Sequence, residues 1–386
     1  MSENKQNFLL STDIGTDIDD AVALYLAMGS EVLDLKGVYV TNGPVETRAK
    51  IAARMLHLAG HDALVAVGEA DELFSPAAAQ FIGGKYLTYV EEFSVPGNHK
   101  RKSLEELGII KDWLNTMAKQ LEELKDVVIA SIAPLTNIAK LLDERPDAAR
   151  KIKTLYVMGG REGFNEHNFS HDSLAARKVL GSDLDIVVVP ADVCSRFDIE
   201  TGELTELKGS KAQAYLARMA ALWKLTHTIR EISAHIMELR EVCNDKSAGL
   251  FEGHELFYQG LLTLSITKEF ERDPYAYGTF LKMFMGLASL HMDIPEVKQV
   301  INKIKEWESK TFKVSDAFVI YALEHPEKVE KKKADISCDD WGRMKTSEGR
   351  RHKLVVDVDY RHFAGYLKRR MEQKPKKNPR KPLRTS

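Results

Sequence analysis

The sequence predicts an α/β protein built on a mainly parallel sheet with helices on both faces, carrying a largely helical insertion. Three observations predict this. Short, near-continuous apolar runs alternate with apolar residues at helical spacing through the first two-thirds of the chain. The runs give way to loops containing Asp, Asn or Gly, at the carboxyl ends of strands where open parallel sheets bind ligands. Between residues 205 and 311 the strand signals fade and long helical patterns replace them.

The elements follow in order. Phe8-Leu9-Leu10 is a first strand, and an apolar helical pattern begins at Ala21. Val38-Tyr39-Val40-Thr41 is a β-branched strand. Glu46 to Leu58 places Ile51, Met55 and Leu58 on one helical face. Further strands are Ala63 to Val67 (closed by Gly68), Asp126 to Ser131, Thr154 to Met158 and Ile186 to Pro190. They are apolar throughout rather than alternating, as expected of strands covered on both faces. Ala212 to Leu239, Tyr258 to Phe270, Ala276 to Leu290 and Val297 to Trp307 read as helices of the insertion. Its many aromatic and Met residues read mainly as helix core, with a few free to line a pocket for a flat ring. Ala317 to Leu323 is helical again. The expected organisation is one α/β domain over residues 1–371, with 205–311 as a helical cap, and a basic disordered tail over 372–386.

Bulk properties exclude several classes. The 386 residues are 44% hydrophobic, ample for a core, and the net charge of −2 argues for no polyanionic partner. The tail is basic but has no aromatic interleaving for stacking on nucleic acid. No stretch is long and apolar enough to span a bilayer, and Met1 to Asn7 lacks the apolar segment of a signal peptide. Cys194, Cys243 and Cys338 are odd in number, widely spaced and without zinc-ligand spacing. A cytoplasmic location is expected.

The chemistry concentrates in Ser11-Thr12-Asp13-Ile14-Gly15-Thr16-Asp17-Ile18-Asp19-Asp20. One or two aspartates at a helix start are caps. Four packed together repel one another unless a hard cation, Ca²⁺ or Mg²⁺, neutralises them through oxygen ligands. Three other blocks lie at strand ends or helix starts. Ile132-Ala133-Pro134-Leu135-Thr136-Asn137 turns a strand into a helix, with Thr136 or Asn137 near the cap. Met158-Gly159-Gly160 precedes Glu166-His167-Asn168, and Ser315-Asp316 opens the helix at Ala317. Each alone is weak, and a single Asp at a helix start is more often a cap than a ligand.

In this order and spacing the four blocks resemble the nucleoside hydrolase family of the inosine–uridine-preferring type, over residues 8 to 204 and again from 312 to about 370. The resemblance implies the Rossmann-like nucleoside hydrolase fold. It implies Ca²⁺-dependent cleavage of an N-glycosidic bond, releasing ribose and a free base, and a homodimer or homotetramer. It makes Asp13 a calcium ligand and general base, Asp20 a bidentate ligand, and the carbonyl of Ile132 and Asp316 the remaining ligands. Asp19, Asn42, Glu166 and Asn168 would grip the ribose hydroxyls. Asp17 belongs to a two-residue expansion of the family loop and is given a turn role.

The sequence also departs from the family. Ser315 stands where the family has a His that protonates the leaving base, and serine is no comparable acid near pH 7. Ser11 replaces the first Asp of the signature, and the loop after Gly160 is short, with Asn165 only a neighbour of the family's extra ribose-contacting Asn. His227, His235 and His254 of the insertion are candidates for a substitute acid. The alternatives are a hydrolase of a modified nucleoside, nucleotide or other N-riboside, and a non-catalytic ribosyl-ligand binder. An acidic phosphohydrolase is disfavoured because no Lys or Arg closely follows the loop.

Overall fold

The computed structural model describes residues 5–70, 102–221, 223–224, 302 and 311–373. The chain divides into two compact units, Met1–Ala217 with Phe312–Ser386, and Arg218–Thr311. Nearly all of the second unit lies outside the described residues, and with it most of the expected helical insertion, including His227, His235 and His254.

The first unit is a nine-stranded sheet wrapped by helices. Its strands are β1 (Gln6–Thr12), β2 (Leu33–Val40), β3 (Leu64–Val67), β4 (Ile109–Ile110), β5 (Val128–Ser131), β6 (Thr154–Met158), β7 (Ile186–Val189), β10 (Val329–Cys338) and β11 (Met344–Val358). A separate pair joins β8 (Asp198–Ile199) to β9 (Phe312–Lys313). The sheet order is β10-β11-β7-β6-β5-β1-β2-β3-β4, parallel except for the antiparallel edge pair β10–β11. The helices that bear on the site are α1 (Asp19–Met28), α2 (Val45–Ala59), α3 (Trp113–Glu123), α4 (Thr136–Glu144), α5 (Pro146–Ala149), α6 (His167–His171), α7 (Ser173–Leu180), α8 (Ala191–Cys194), α9 (Thr201–Thr205), α10 (Ala317–Glu324) and α11 (Tyr360–Glu372).

Register sets where the loops emerge. Ser11 pairs with Tyr39 on one side and Ser131 on the other, and Ser131 pairs with Val157. One row thus crosses β2, β1, β5 and β6, and Asn42, Asp13, Ile132 and Gly159 all leave the sheet along the same edge. Beneath that row Phe8, Leu9, Leu10, Ile129 and Leu155 are fully buried. α1 is buried from Asp20 to Met28, which explains a helix apolar on every side. It packs against α10.

α11 fixes the far ends of those two helices. Arg370 pairs with Glu324 at 2.7 Å and also donates to the Leu26 carbonyl. The ring of Phe363 stacks on Phe318 with centroids 4.0 Å apart. The N-terminal ends of α1 and α10, which carry Asp19, Asp20 and Asp316, are thereby held from behind.

Several expectations are revised. β2 starts at Leu33, five residues before the β-branched run. β5 starts at Val128, because Asp126 adopts a left-handed φ of 54°. Neither Thr136 nor Asn137 caps α4. Thr136 instead donates to Asp172 at 2.7 Å. Asn137 bridges the ends of β2 and β3, donating to the Val40 carbonyl at 3.2 Å and accepting from the Glu69 N–H at 2.9 Å. The tail does not begin at Glu372: α11 includes that residue, and the Gln373 carbonyl accepts from Tyr25 at 2.6 Å. The remainder of the tail, 374–386, lies outside the described residues.

The hairpin β10–β11 carried no sequence signal. Its polar faces are rich in Lys and Arg, which protect an edge strand from pairing with other chains. It is pinned by His352, whose Nδ1 accepts from the Ile336 N–H at 2.9 Å while Nε2 lies 3.0 Å from the Leu180 carbonyl. Burial holds this imidazole below its usual pKa, in keeping with a neutral bridge.

Candidate active site

The acidic loop connects β1 to α1 and turns at Gly15, whose φ of 117° is one that L side chains rarely adopt. Its shape is enforced from beneath by Arg48 of α2, which is fully buried. The guanidinium donates to the Asp13 carbonyl, to the Ile14 carbonyl at 3.2 Å and to the Asn42 carbonyl at 2.6 Å. Arg48 is therefore a buried cation spent on main-chain oxygens. We expect Arg48→Met to destabilise the fold by about 3 kcal/mol, since it strands those carbonyls away from water. Urea denaturation of the two proteins measures this.

Asp13 is 5% exposed. Asn42, held at φ 71°, donates its amide to Asp13 Oδ2 at 3.1 Å, and His167 Nε2 lies 3.8 Å from the same oxygen. Burial opposes ionisation of Asp13, but His167, Arg48 and Asn42 outweigh it and hold the carboxyl below the usual range. His167, half exposed, is shifted the other way: partial desolvation pulls its pKa down, and Asp13, Glu166 and Asp17 more than restore it.

Asp19, Asp20 and Asp316 form a second group, each offering an oxygen within 4.8 Å of the others. Asp20 accepts from the Thr12 hydroxyl. Asp316 occupies the N-cap position of α10, yet its carboxylate makes no cap hydrogen bond. Burial first, then neighbouring aspartates, pushes Asp19 up to about 8 and raises Asp20 and Asp316 well above the carboxylate range. Asp13 contributes to the repulsion on all three. Asp20 and Asp316 are buried and Asp19 half-buried; carboxylates so placed are ionised together most readily beside a cation, and an all-oxygen donor set is what a hard divalent cation requires. The residues present fit a metal ion. Asp17 is exposed, on the outer turn of the loop.

Ile132 follows β5, buried, with its N–H on the Ser11 carbonyl at 2.9 Å, so its peptide lies against the base of the acidic loop. On the β6 side, Glu166 caps α6. Its carboxylate accepts from the N–H groups of Gly160 at 2.7 Å, Asn168 at 2.9 Å and Phe169 at 3.1 Å. Glu166 thus serves the backbone as well as any ligand. Buried Asn168 donates to the Met158 carbonyl at 3.1 Å. Gly160, at φ 81°, leaves no room for a Cβ against Phe169 and Met344.

The structure therefore brings Asp13 together with Asn42, and Asp19 with Asp20 and Asp316. It places Ile132, Glu166 and Asn168 along the same sheet edge. Asp19, expected only at the ribose, stands among the acids that can hold a metal. Sequence reasoning gave no role to His167 or Arg48. His167 was visible only as the middle of a motif, and Arg48 as one basic residue on an amphipathic helix.

A family model described as inosine-uridine preferring nucleoside hydrolase matches residues 8–365. The chain belongs to that family. Among curated nucleoside hydrolases it is similar to the non-specific ribonucleoside hydrolase RihC of Klebsiella pneumoniae, with 32% identity over 199 residues, 49% of this chain and 62% of that protein. RihC of Salmonella newport is 31% identical over 212 residues, 52% of this chain and 66% of that protein. The chain thus spans under two-thirds of the length of these relatives.

Solved structures extend the likeness of fold across 95% of this chain. An inosine-guanosine nucleoside hydrolase superposes with a TM-score of 0.60 at 15% identity, covering 99% of that chain. The type III effector XopQ, solved with adenosine diphosphate ribose, gives 0.62 at 16%, covering 93%. At these identities the structural match establishes the nucleoside hydrolase fold. No helix among the described residues is long and apolar enough to cross a membrane.

Proposed function

We propose that this chain hydrolyses the N-glycosidic bond of a ribonucleoside, with Ca²⁺ as its cofactor and Asp13 as general base. The observation that carries the reading is the convergence of carboxylate oxygens of Asp19, Asp20 and Asp316 within 4.8 Å of one another, with Asp13 near enough to repel all three. Asp13, Asp20, Asp316 and the Ile132 carbonyl would hold the ion, with Asp19 able to serve either the ion or the ribose. Bound there, Ca²⁺ would orient a water and increase its acidity.

Asp13 is suited to take that water's proton, because its neighbours keep it ionised while Arg48 fixes its backbone. The water attacks the anomeric carbon as the bond to the base breaks and positive charge builds on the ribose ring. The surrounding carboxylates favour that charge. Asn42, Glu166 and Asn168 would hold the sugar hydroxyls and so fix its approach. Ser315 cannot protonate the departing base near neutral pH, so the proton comes from elsewhere. That gap favours, as a second reading, a modified nucleoside or other N-riboside whose base leaves easily. A homo-oligomer acting in the cytoplasm belongs to the same reading.

The experiment is direct. The protein, supplied with Ca²⁺, is incubated with a panel of purine and pyrimidine ribonucleosides and nucleotides, and free base and reducing sugar are measured. Release of both in equal amounts is expected. No turnover of any N-riboside would overturn the proposal.

A further inference from the structure

We infer that Arg161 and Phe164 form a subsite for a phosphate carried on the ribose C5′, so that phosphorylated N-ribosides are preferred over unphosphorylated ones. The inference rests on the N-ribosyl hydrolase reading above and names the substrate class of the same site.

Three observations carry it. The first is an uncommitted cation. Arg161 is exposed and makes no ion pair among the described residues; its guanidinium lies over the Phe164 ring, 5.1 Å from the centroid. A guanidinium resting on an aromatic face keeps its forked donors available, in the geometry suited to phosphate oxygens. The ring that orients it is 62% exposed, more than any other large hydrophobic residue among those described.

The second is the rigidity of the loop that presents this pair. The Gly163 N–H donates to the Met344 carbonyl at 2.9 Å, Phe164 N–H to the Arg161 carbonyl at 3.1 Å, and Ala191 N–H to the Gly160 carbonyl at 2.9 Å. Glu162 N–H donates to Asp192 at 3.0 Å, and the Glu162 carboxylate accepts from the Thr346 N–H at 3.3 Å. Glu162 and Asp192 are therefore engaged with backbone N–H groups, as is Glu166, whose carboxylate accepts from the N–H groups of Gly160, Asn168 and Phe169. An exposed Phe and an unpaired Arg on so fixed a loop are better explained by a ligand than by folding.

The third is direction. Neighbouring strands lie about 4.8 Å apart, so the ends of β1 and β6, with β5 between them, are separated by roughly 10 Å. The anomeric carbon must sit near Asp13, at the end of β1. A ribose that also reaches Glu166 and Asn168, beyond β6, directs the part of the sugar farthest from the anomeric carbon toward β6. That part is C5′, and the loop of Arg161 begins immediately after Gly160, whose N–H is bound by Glu166.

Binding separates this inference from the hydrolase reading. Ribose and ribose 5-phosphate are titrated into the Ca²⁺-supplied protein by calorimetry. Ribose 5-phosphate is expected to bind about tenfold or more tightly. Arg161→Ala should erase most of that preference and Arg161→Lys keep part of it. Arg150→Ala, at the opposite end of β6, should leave the preference intact. Equal binding of the two sugars by the wild-type protein, or an undiminished preference in Arg161→Ala, overturns the inference. Nucleoside and nucleotide turnover is then measured in parallel. A preference for ribose 5-phosphate without release of base from either would remove the hydrolase reading and leave the phosphate subsite standing.

Discussion

Asp13→Asn lowers kcat by about 10³-fold, the expected loss when a positioned general base is removed, while leaving the thermal unfolding transition within a few degrees of wild type. The reason lies in how the loop is built. Arg48 grips the main-chain carbonyls of Asp13, Ile14 and Asn42. None of those contacts involves the Asp13 side chain, so the substitution removes the carboxylate and keeps the brace. Asn cannot accept a proton at neutral pH, yet it preserves the shape of the side chain and an oxygen for the Asn42 amide. Asp13→Ala removes that oxygen as well and should be at least as inactive. Base release measured beside far-ultraviolet circular dichroism separates chemistry from folding. Retention of most of kcat by Asp13→Asn would place the general base on another residue.

The parallel core was legible because most of its strands are short runs apolar on both faces, several of them ended by Gly or Asp, as β1 is by Asp13, β3 by Gly68 and β6 by Gly159. Thr154 to Met158 coincides with β6, and Ala317 to Leu323 falls one residue short of α10. The start of β2 was obscured by Asp34 and Lys36, which interrupt its apolar pattern and are only partly buried. The hairpin β10–β11 was hidden for a different reason. Its edge position favours charge where a central strand favours Val or Ile, so residues such as Lys332 and Lys333 give no apolar strand signal. The long-range contact that holds it, from His352 to Leu180, leaves no local pattern.

The site divides in the same way. Asp13, Asp19 and Asp20 were conspicuous because four aspartates in eight residues exceed what capping can use. Asp316 was ambiguous as a lone acid at a helix start, and only its missing cap bond and its position against Asp19 and Asp20 distinguish it from a cap. Asn137 shows the opposite outcome. It stands in a motif of the site, yet its side chain is consumed in joining β2 to β3. Arg48 is the clearest case of function hidden by distance, since an Arg on an amphipathic helix normally faces water and this one is fully buried.

Chelation tests the proposed Ca²⁺ site with the second large effect. EGTA should abolish turnover and lower the unfolding temperature by several degrees. Ca²⁺ should restore both, while Mg²⁺, which demands a tight octahedral shell and holds its waters, should restore them poorly. The stability effect follows from which parts of the chain the acids come from. Asp20 sits at the start of α1, directly after the acidic loop, and Asp316 at the start of α10 in the C-terminal part of the chain, the two helices packed side by side. Without a cation these ends repel. With one they are cross-linked, and at a concentration a hundred times its dissociation constant the bound ion adds about 2.7 kcal/mol to stability. Asp316→Asn should lose most of the Ca²⁺-dependent gain. In the metal-free protein it should unfold at a temperature no lower than wild type, because the substitution also relieves repulsion on Asp19 and Asp20. A Ca²⁺-dependent gain that survives in Asp316→Asn would place the ion away from α10.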